Sequence, residues 1–249
     1  MNHQGRVAIV TGGTRGIGEA ITRMLAAAGA HVAAAYAGNH DRARALVQDL
    51  RDSPGSVSVH PGDVGDRAFC HRLVDEVLAA HGRVDYVVNN AGLLVENSFG
   101  KMTEDEWDQA VAVNLSGPFH LSQAALAPML DAGYGRVVHV GSITALLGNR
   151  AEIGYGAAKA GLIGLTRSMA RATARKGITV NLVVPGVFDT DMTRAMRPED
   201  QAAIAATIPI GRRGDPAELA HAVGFLLDEK AAYMTGSVVT VDGGISMGG

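Results

Sequence analysis

The feature that most restricts this chain is an alternation kept up from end to end: short β-branched runs, each followed by a longer stretch of helical periodicity. The runs lie at residues 6–11, 31–36, 57–60, 84–88, 136–140, 179–184 and 238–241. The helical stretches lie at about 16–28, 41–51, 66–80, 103–130, 152–175 and 215–227, with an adjustment near Gly117-Pro118 left open in the fourth. Consecutive parallel strands need a crossover, and a helix is the usual one, so this texture predicts a parallel sheet covered by helices on both faces. The fourth run is nearly all apolar, as a strand buried on both faces must be. Local signals set the boundaries. Gly29 and Gly82 stop helices, Thr103 and Glu106 form a capping box, Asp41 reads as a helix cap, and Asp215-Pro216 opens a helix. No Pro- or Ser-rich linker divides the 249 residues, so the expectation is a single domain. Residues 190–214 fit the alternation worst and suggest a lid.

The first run ends in Thr11-Gly12-Gly13-Thr14-Arg15-Gly16-Ile17-Gly18. Glycines after a strand let backbone approach a pyrophosphate, and the following helix offers free N–H groups and a positive dipole end. That predicts a dinucleotide site; a tight turn without a ligand is the plain alternative. A ribose 2′-hydroxyl is usually held by an acid after the second strand, but here that strand runs into Ala37-Gly38-Asn39-His40. The missing acid, with Arg15 in the turn and Arg42 in the next helix, favours NADPH over NADH. Both arginines could equally be solvated surface charges. Asp63-Val64 follows the third strand, where a carboxylate suits an adenine amino group. Asn89-Asn90-Ala91-Gly92 follows the fourth, as a ligand contact or a turn stabiliser.

Past the fifth run stands Ser142, and then Tyr155 and Lys159, four residues apart on one helical face. A phenol is a poor acid at neutral pH, and an ammonium one turn away together with a cationic nicotinamide is expected to lower its pKa. Tyr155 then donates a proton to a carbonyl oxygen that is receiving hydride, while the Ser142 hydroxyl bonds the same oxygen.

Composition removes several other classes. Net charge is −3 with 4% aromatics, which argues against a nucleic-acid partner. The single cysteine, Cys70, excludes an internal disulfide and a cysteine metal cluster, and no histidine pair at ligand spacing suggests a metal. No apolar run has the length of a membrane helix, and no signal-peptide pattern opens the chain. The expectation is a soluble cytoplasmic protein.

Taken together, Thr11-Gly12-x-x-x-Gly16-x-Gly18, Asn89-Asn90-Ala91-Gly92, Asn114, Ser142, Tyr155-x-x-x-Lys159 and Pro185-Gly186 resemble the short-chain dehydrogenase/reductase family over essentially the whole chain. The resemblance implies a Rossmann-like, doubly wound α/β fold with a seven-stranded parallel sheet in the order 3-2-1-4-5-6-7. It implies Tyr155 as general acid/base, Lys159 on the nicotinamide ribose, Ser142 on the carbonyl and Asn114 on a relay water. NADPH or NADP+ would lie along Gly12, Thr14, Arg15, Gly16, Ile17, Gly18, Asn39, Asp63, Val64, Asn90, Ala91 and Gly92. It would then reach Tyr155, Lys159, Pro185, Gly186 and Thr190.

Within the family, Lys176-Gly177-Ile178, Pro185-Gly186-Val187 and Asp242-Gly243-Gly244 look like the 3-oxoacyl-[acyl-carrier-protein] reductase group. That implies reduction of a 3-oxoacyl thioester carried by CoA or an acyl carrier protein. A basic residue that the group places before the fifth strand is absent here, and Lys176 alone matches a second one. The resemblance further implies a homotetramer, with Ala124, Ala125, Leu165 and Met169 expected on outward helix faces. Arg194, Arg197, Arg212 and Arg213 suggest a basic substrate entrance. An NAD-dependent alcohol or sugar dehydrogenase, a polyketide ketone reductase and a non-catalytic nucleotide sensor remain as rival readings.

Overall fold

A computed structural model describes residues 2–247. Seven strands form one sheet: β1 (Val7–Thr11), β2 (His31–Tyr36), β3 (Ser56–Pro61), β4 (Tyr86–Asn89), β5 (Gly135–Val140), β6 (Ile178–Pro185) and β7 (Val238–Val241). Every pairing is parallel, in the order β3-β2-β1-β4-β5-β6-β7. The order reverses between β1 and β4, which opens a crevice at the carboxyl edge where ligands of such sheets bind.

The helices are α1 (Gly16–Ala27), α2 (His40–Asp49), α3 (Arg67–His81), α4 (Glu104–Val111) and α5 (Gly117–Ala132), then α6 (Thr144–Leu147) and α7 (Ile153–Thr173). After β6 come α8 (Asp191–Arg194), α9 (Pro198–Thr207) and α10 (Pro216–Leu227). Alternation along β1 builds the core on both faces. Ala8 and Val10 pack with Ile21 and Leu25 of α1 and Leu219 and Val223 of α10. Val7 and Ile9 point the other way, to Leu73 and Val77 of α3 and Leu121 of α5. Among the described residues no helix is long and apolar enough to cross a membrane.

Several local expectations are corrected. The cap of α2 is Asn39, whose side chain accepts from Arg42 N at 2.9 Å; Asp41 lies inside the first turn. Residues 103–130 are not one helix. Between α4 and α5 runs a π-helical turn, Ala112–Ser116, which carries Asn114. The two proline- and threonine-capped starts hold: Asp215 with Glu218 and Thr103 with Glu106 both close as capping boxes. Residues 190–214 contain two helices, α8 and α9, in place of a bare loop. Of the four residues expected on outward helix faces, Ala125 is fully buried in the chain's own core, and Ala124, Leu165 and Met169 are half-buried against it. The outward apolar side chains of α5 are instead Phe119 and Leu130.

Candidate active site

The glycine turn is fastened to the segment after β4. Thr11 Oγ1 accepts from the backbone N–H groups of Asn90 and Ala91, both at 3.0 Å. The Asn90 amide donates to Thr11 O at 2.9 Å and Gly12 O at 3.3 Å. Asn90 therefore braces the turn, whatever else it touches. The approach of α1 to the turn is too close for any side chain at residue 18, where a Cβ would sit 2.0 Å from Gly12 O. The start of α1 has no side-chain cap: Arg15 precedes it in extended conformation, leaving first-turn N–H groups directed at the crevice. Thr14 is buried in the turn, while Ile17 is half-buried beside it.

The two arginines expected near a 2′-phosphate differ. Arg15 is exposed and takes part in no ion pair among the described residues. Arg42 is already held, by Glu19 Oε2 at 3.0 Å and by Asp191 at the start of α8. Asp63 Oδ1 accepts from Gly65 N at 2.8 Å, closing its own turn, and Val64 is buried with its carbonyl accepting from Cys70 Sγ. Burial pushes the Cys70 thiol up to about 11, so it stays a thiol. Past β6, Pro185 ends the strand, Gly186 N donates to Val241 O at 3.0 Å, and Thr190 lies over the glycine turn. A Cβ on Gly16 would meet its methyl at 3.5 Å.

The proton-transfer residues converge beside β5. Lys159 is buried, and its Nζ donates to Val140 O at 2.8 Å and lies 5.7 Å from the Tyr155 ring centroid. Desolvation lowers its pKa from 10.5 to about 8. A Cβ on Gly92 would come within 3.7 Å of that Nζ. The Asn114 side chain is bonded at both ends: its Oδ1 accepts from Leu93 N at 3.2 Å, and its Nδ2 donates to Leu93 O at 2.9 Å and Ala110 O at 2.8 Å. It pins the segment after β4 beside Lys159.

In the protein alone, the phenol of Tyr155 is shifted upward. Burial raises the phenol, the Ser142 hydroxyl pulls it down, and the Glu152 carboxylate pushes it up; the net is upward. Lys159 does not reverse this: its ammonium donates to Val140 O and lies 5.7 Å from the ring centroid.

Two groups escaped the sequence reading. His139 on β5 is fully buried and bonds the Asn89 amide at 3.1 Å, which in turn donates to Ser122 Oγ at 3.0 Å. Burial, then the charge of Lys159, drives its pKa down to about 3, so it remains neutral behind the site. Glu152, before α7, accepts from Thr144 Oγ1 and Asn149 Nδ2, both at 2.8 Å. Neither had a spacing signal, since each acquires its partners only in the fold. The basic entrance is also corrected. Arg194 pairs with Asp189 and Asp191, Arg197 with Glu199 and Asp200, Arg212 with Glu218, and Arg213 with Asp189.

Comparison with known proteins agrees along the chain. A family model described as Enoyl-(Acyl carrier protein) reductase matches residues 12–246. The 3-oxoacyl-[acyl-carrier-protein] reductase FabG of Escherichia coli (strain K12) is 41% identical over 247 residues, covering 99% of this chain and 100% of that protein. The acetoacetyl-CoA reductase of Rhizobium meliloti (strain 1021) is 43% identical over 241 residues, covering 96% and 98%. Among solved structures, a blue fluorescent protein from a metagenomic library, crystallised in complex with NADPH, superposes with a TM-score of 0.92 at 38% identity, covering 98% of this chain and 99% of that one. A match of this extent, on a sheet of this order with Tyr155 and Lys159 facing the same crevice, means that the chain belongs to the short-chain dehydrogenase/reductase family.

Proposed function

We propose that this protein reduces 3-oxoacyl thioesters to 3-hydroxyacyl thioesters with NADPH. The observation that carries the reading is the grouping of Ser142, Tyr155 and buried Lys159 at the carboxyl edge of β5, beside an uncapped helix start and a glycine turn. Relatives of similar length and about two-fifths identity are named for this chemistry on carrier-protein and CoA substrates. The cradle suits a dinucleotide: the residue 18 contact leaves no room for a side chain, and Arg15, in no ion pair among the described residues, is a cation at its edge. When bound, NADPH supplies the hydride and leaves a positive nicotinamide ring.

The protein supplies the rest. Ser142 and Tyr155 bond the ketone oxygen, and Tyr155 gives it a proton as the alkoxide forms. A raised phenol pKa keeps Tyr155 protonated before hydride transfer, which is the state a donor needs. Lys159 holds the nicotinamide ribose and is positioned for proton resupply, with Asn114 fixing the strand segment beside it. Gly12, Thr14, Gly16, Ile17, Asn90, Ala91 and Gly92 line the phosphate and ribose path, Asn39, Asp63 and Val64 the adenosine end, and Pro185, Gly186 and Thr190 the carboxamide.

Residues 190–214 act as the lid over the acyl group. Its arginines are paired, and the basic position before β5 is missing, which supports CoA thioesters over an acidic carrier. Exposed Phe119 and Leu130 on α5 and Phe225 on α10 support pairing into a homotetramer, working in the cytoplasm. The test is consumption of NADPH with acetoacetyl-CoA, a carrier-linked 3-oxoacyl group and a simple sugar or alcohol with NADP+. Turnover confined to the last would overturn the reading.

A further inference from the structure

Tyr155 projects from a first helical turn that is unusually crowded. A Cβ on Gly156, the next residue, would lie 3.1 Å from Thr144 Cγ2, so α6 and α7 touch at that point. The same Thr144 donates its hydroxyl to Glu152 Oε2 at 2.8 Å, while its backbone N–H donates to Ser142 Oγ at 3.2 Å. Glu152 Oε1 accepts from Asn149 Nδ2 at 2.8 Å, and Glu152 O accepts from Gly156 N at 2.7 Å. One side chain thus joins the turn bearing the carbonyl-binding serine to the turn bearing the proton donor. It is an anion at a place where nothing in the phosphate cradle or the Ser142–Tyr155–Lys159 chemistry calls for one.

The charged groups around the phenol are few. Lys159 lies one turn on in α7, with its ammonium on Val140 O. On β5, His139 faces Lys159 and stays neutral. From α4, Glu106 is turned to Thr103 N and the Asn97 amide. In the segment after β6, Asp189 and Asp191 are paired with arginines. Of these, Glu152 is the one that acts on Tyr155 through its charge, raising the phenol's pKa.

We propose that Glu152 is a positioning residue for proton transfer: clasped by Thr144 and Asn149, it locks the Ser142 turn to the first turn of α7 and sets a carboxylate in the same turn as Tyr155. A positive nicotinamide ring favours the phenolate, and an anion three residues from Tyr155 opposes that drift. The consequence is a site biased toward reduction at alkaline pH. For the direction of catalysis this rests on the reductase reading; for the titration of Tyr155 it does not.

The experiment is an ultraviolet difference titration of the tyrosinate band, with Tyr155→Phe as the blank that isolates Tyr155. It is run on the wild-type protein, Glu152→Gln and Glu152→Asp, with and without NADP+. The Tyr155 midpoint falls by roughly half a pH unit or more in Glu152→Gln and stays close to wild type in Glu152→Asp, which keeps the charge. An unchanged midpoint in Glu152→Gln, or an equal drop in both variants, overturns the proposal. Should Glu152→Gln not fold, Glu152→Ala removes the same charge and carries the same expectation. The pH profile of kcat for NADPH oxidation by acetoacetyl-CoA gives a second reading: its alkaline fall moves to lower pH in Glu152→Gln. A protein that turns over no 3-oxoacyl thioester would overturn the proposed function and leave the titration standing.

Discussion

Beneath the crevice, polar groups are buried and mostly held by fixed protein partners, His139 Nε2 being left without one among the described residues; above it, in residues 190–214, they are exposed and neutralise one another. Lys159, Asn114, Asn89 and His139 are essentially without solvent contact: Lys159 bonds Val140 O, Asn114 bonds the backbone of Leu93 and Ala110, and Asn89 bonds Ser122 Oγ and His139. Arg194, Arg197 and Arg212 are more than half exposed and pair with nearby carboxylates. Low dielectric makes the lower set strong and unforgiving, because an orphaned buried group costs its full desolvation. Exposed pairs contribute about 0.2–1 kcal/mol each. The proposed chemistry therefore rests on the buried floor, while the charges of the cover are exposed and paired.

The sharpest way to break this contrast is at the floor. Tyr155→Phe removes one hydroxyl and keeps the ring. It should preserve folding and cofactor binding while lowering kcat by on the order of 10²-fold or more, as loss of a positioned acid does. Steady-state turnover beside a cofactor-binding titration measures both; near-wild-type kcat would show that another group donates the proton.

A second test weighs function against stability on the same floor. Lys159 is buried with its pKa lowered from 10.5 to about 8. Below pH 8 it is charged in both folded and unfolded chains, and its buried charge costs stability. Between the two values the unfolded chain binds more protons, so wild-type stability rises with pH relative to Lys159→Met. At about 1.4 kcal/mol per unit, that relative gain is roughly 3 kcal/mol across the interval. Paired denaturant melts from pH 7 to 10 check it. A difference that does not change with pH means the ammonium is better solvated than its burial implies.

The same division explains what could be read in advance. Strand–helix alternation, the glycine turn, the Thr103–Glu106 capping box, the Asp215-Pro216 helix start and the Tyr155–Lys159 spacing are local patterns, and local patterns survive in sequence. The π turn around Asn114 is invisible because one extra residue in a helix hardly changes apolar periodicity. Asn39 and Asp41 are both good caps, and only the chain's entry angle from β2 chooses between them. The upward shift of Tyr155 comes from burial, and the silencing of Arg42 comes from Asp191, 149 residues away. Ala125 was misplaced because a helix stripe of small residues looks alike whether it meets a sheet or another subunit.

At the border of floor and cover lies cofactor choice. Arg15 is unpaired among the described residues, Arg42 is engaged by Glu19 and Asp191, and no acid ends β2. Charged hydrogen bonds to a phosphate contribute roughly 1.5–3 kcal/mol, so kcat/KM for NADPH should exceed that for NADH at least about tenfold. Arg15→Ala should erase most of that preference by weakening NADPH alone, whereas Arg42→Ala should change it less. Equal losses from the two substitutions would mean that Arg42 leaves its carboxylates for the cofactor, and the cover would then be coupled to the floor.

The smallest effect is expected in the cover itself. Arg194 donates to Asp189 and to its backbone carbonyl, and Arg197 is bonded by both nitrogens to Asp200. Replacing both by Gln removes two positive charges, unmasks Glu199 and Asp200 and leaves Asp189 and Asp191 to Arg213 and Arg42 alone, so the local field turns more negative. An anionic CoA thioester then meets mild repulsion: KM should rise by less than about fivefold, the equivalent of one exposed pair, and the rise should shrink with added salt. A small uncharged 3-keto ester should keep its KM, because no buried contact has changed. Equal losses on both substrates would mean that these pairs hold α8 and α9 in the shape that closes the site. The cover would then be as structural as the floor, and the contrast between them would fall.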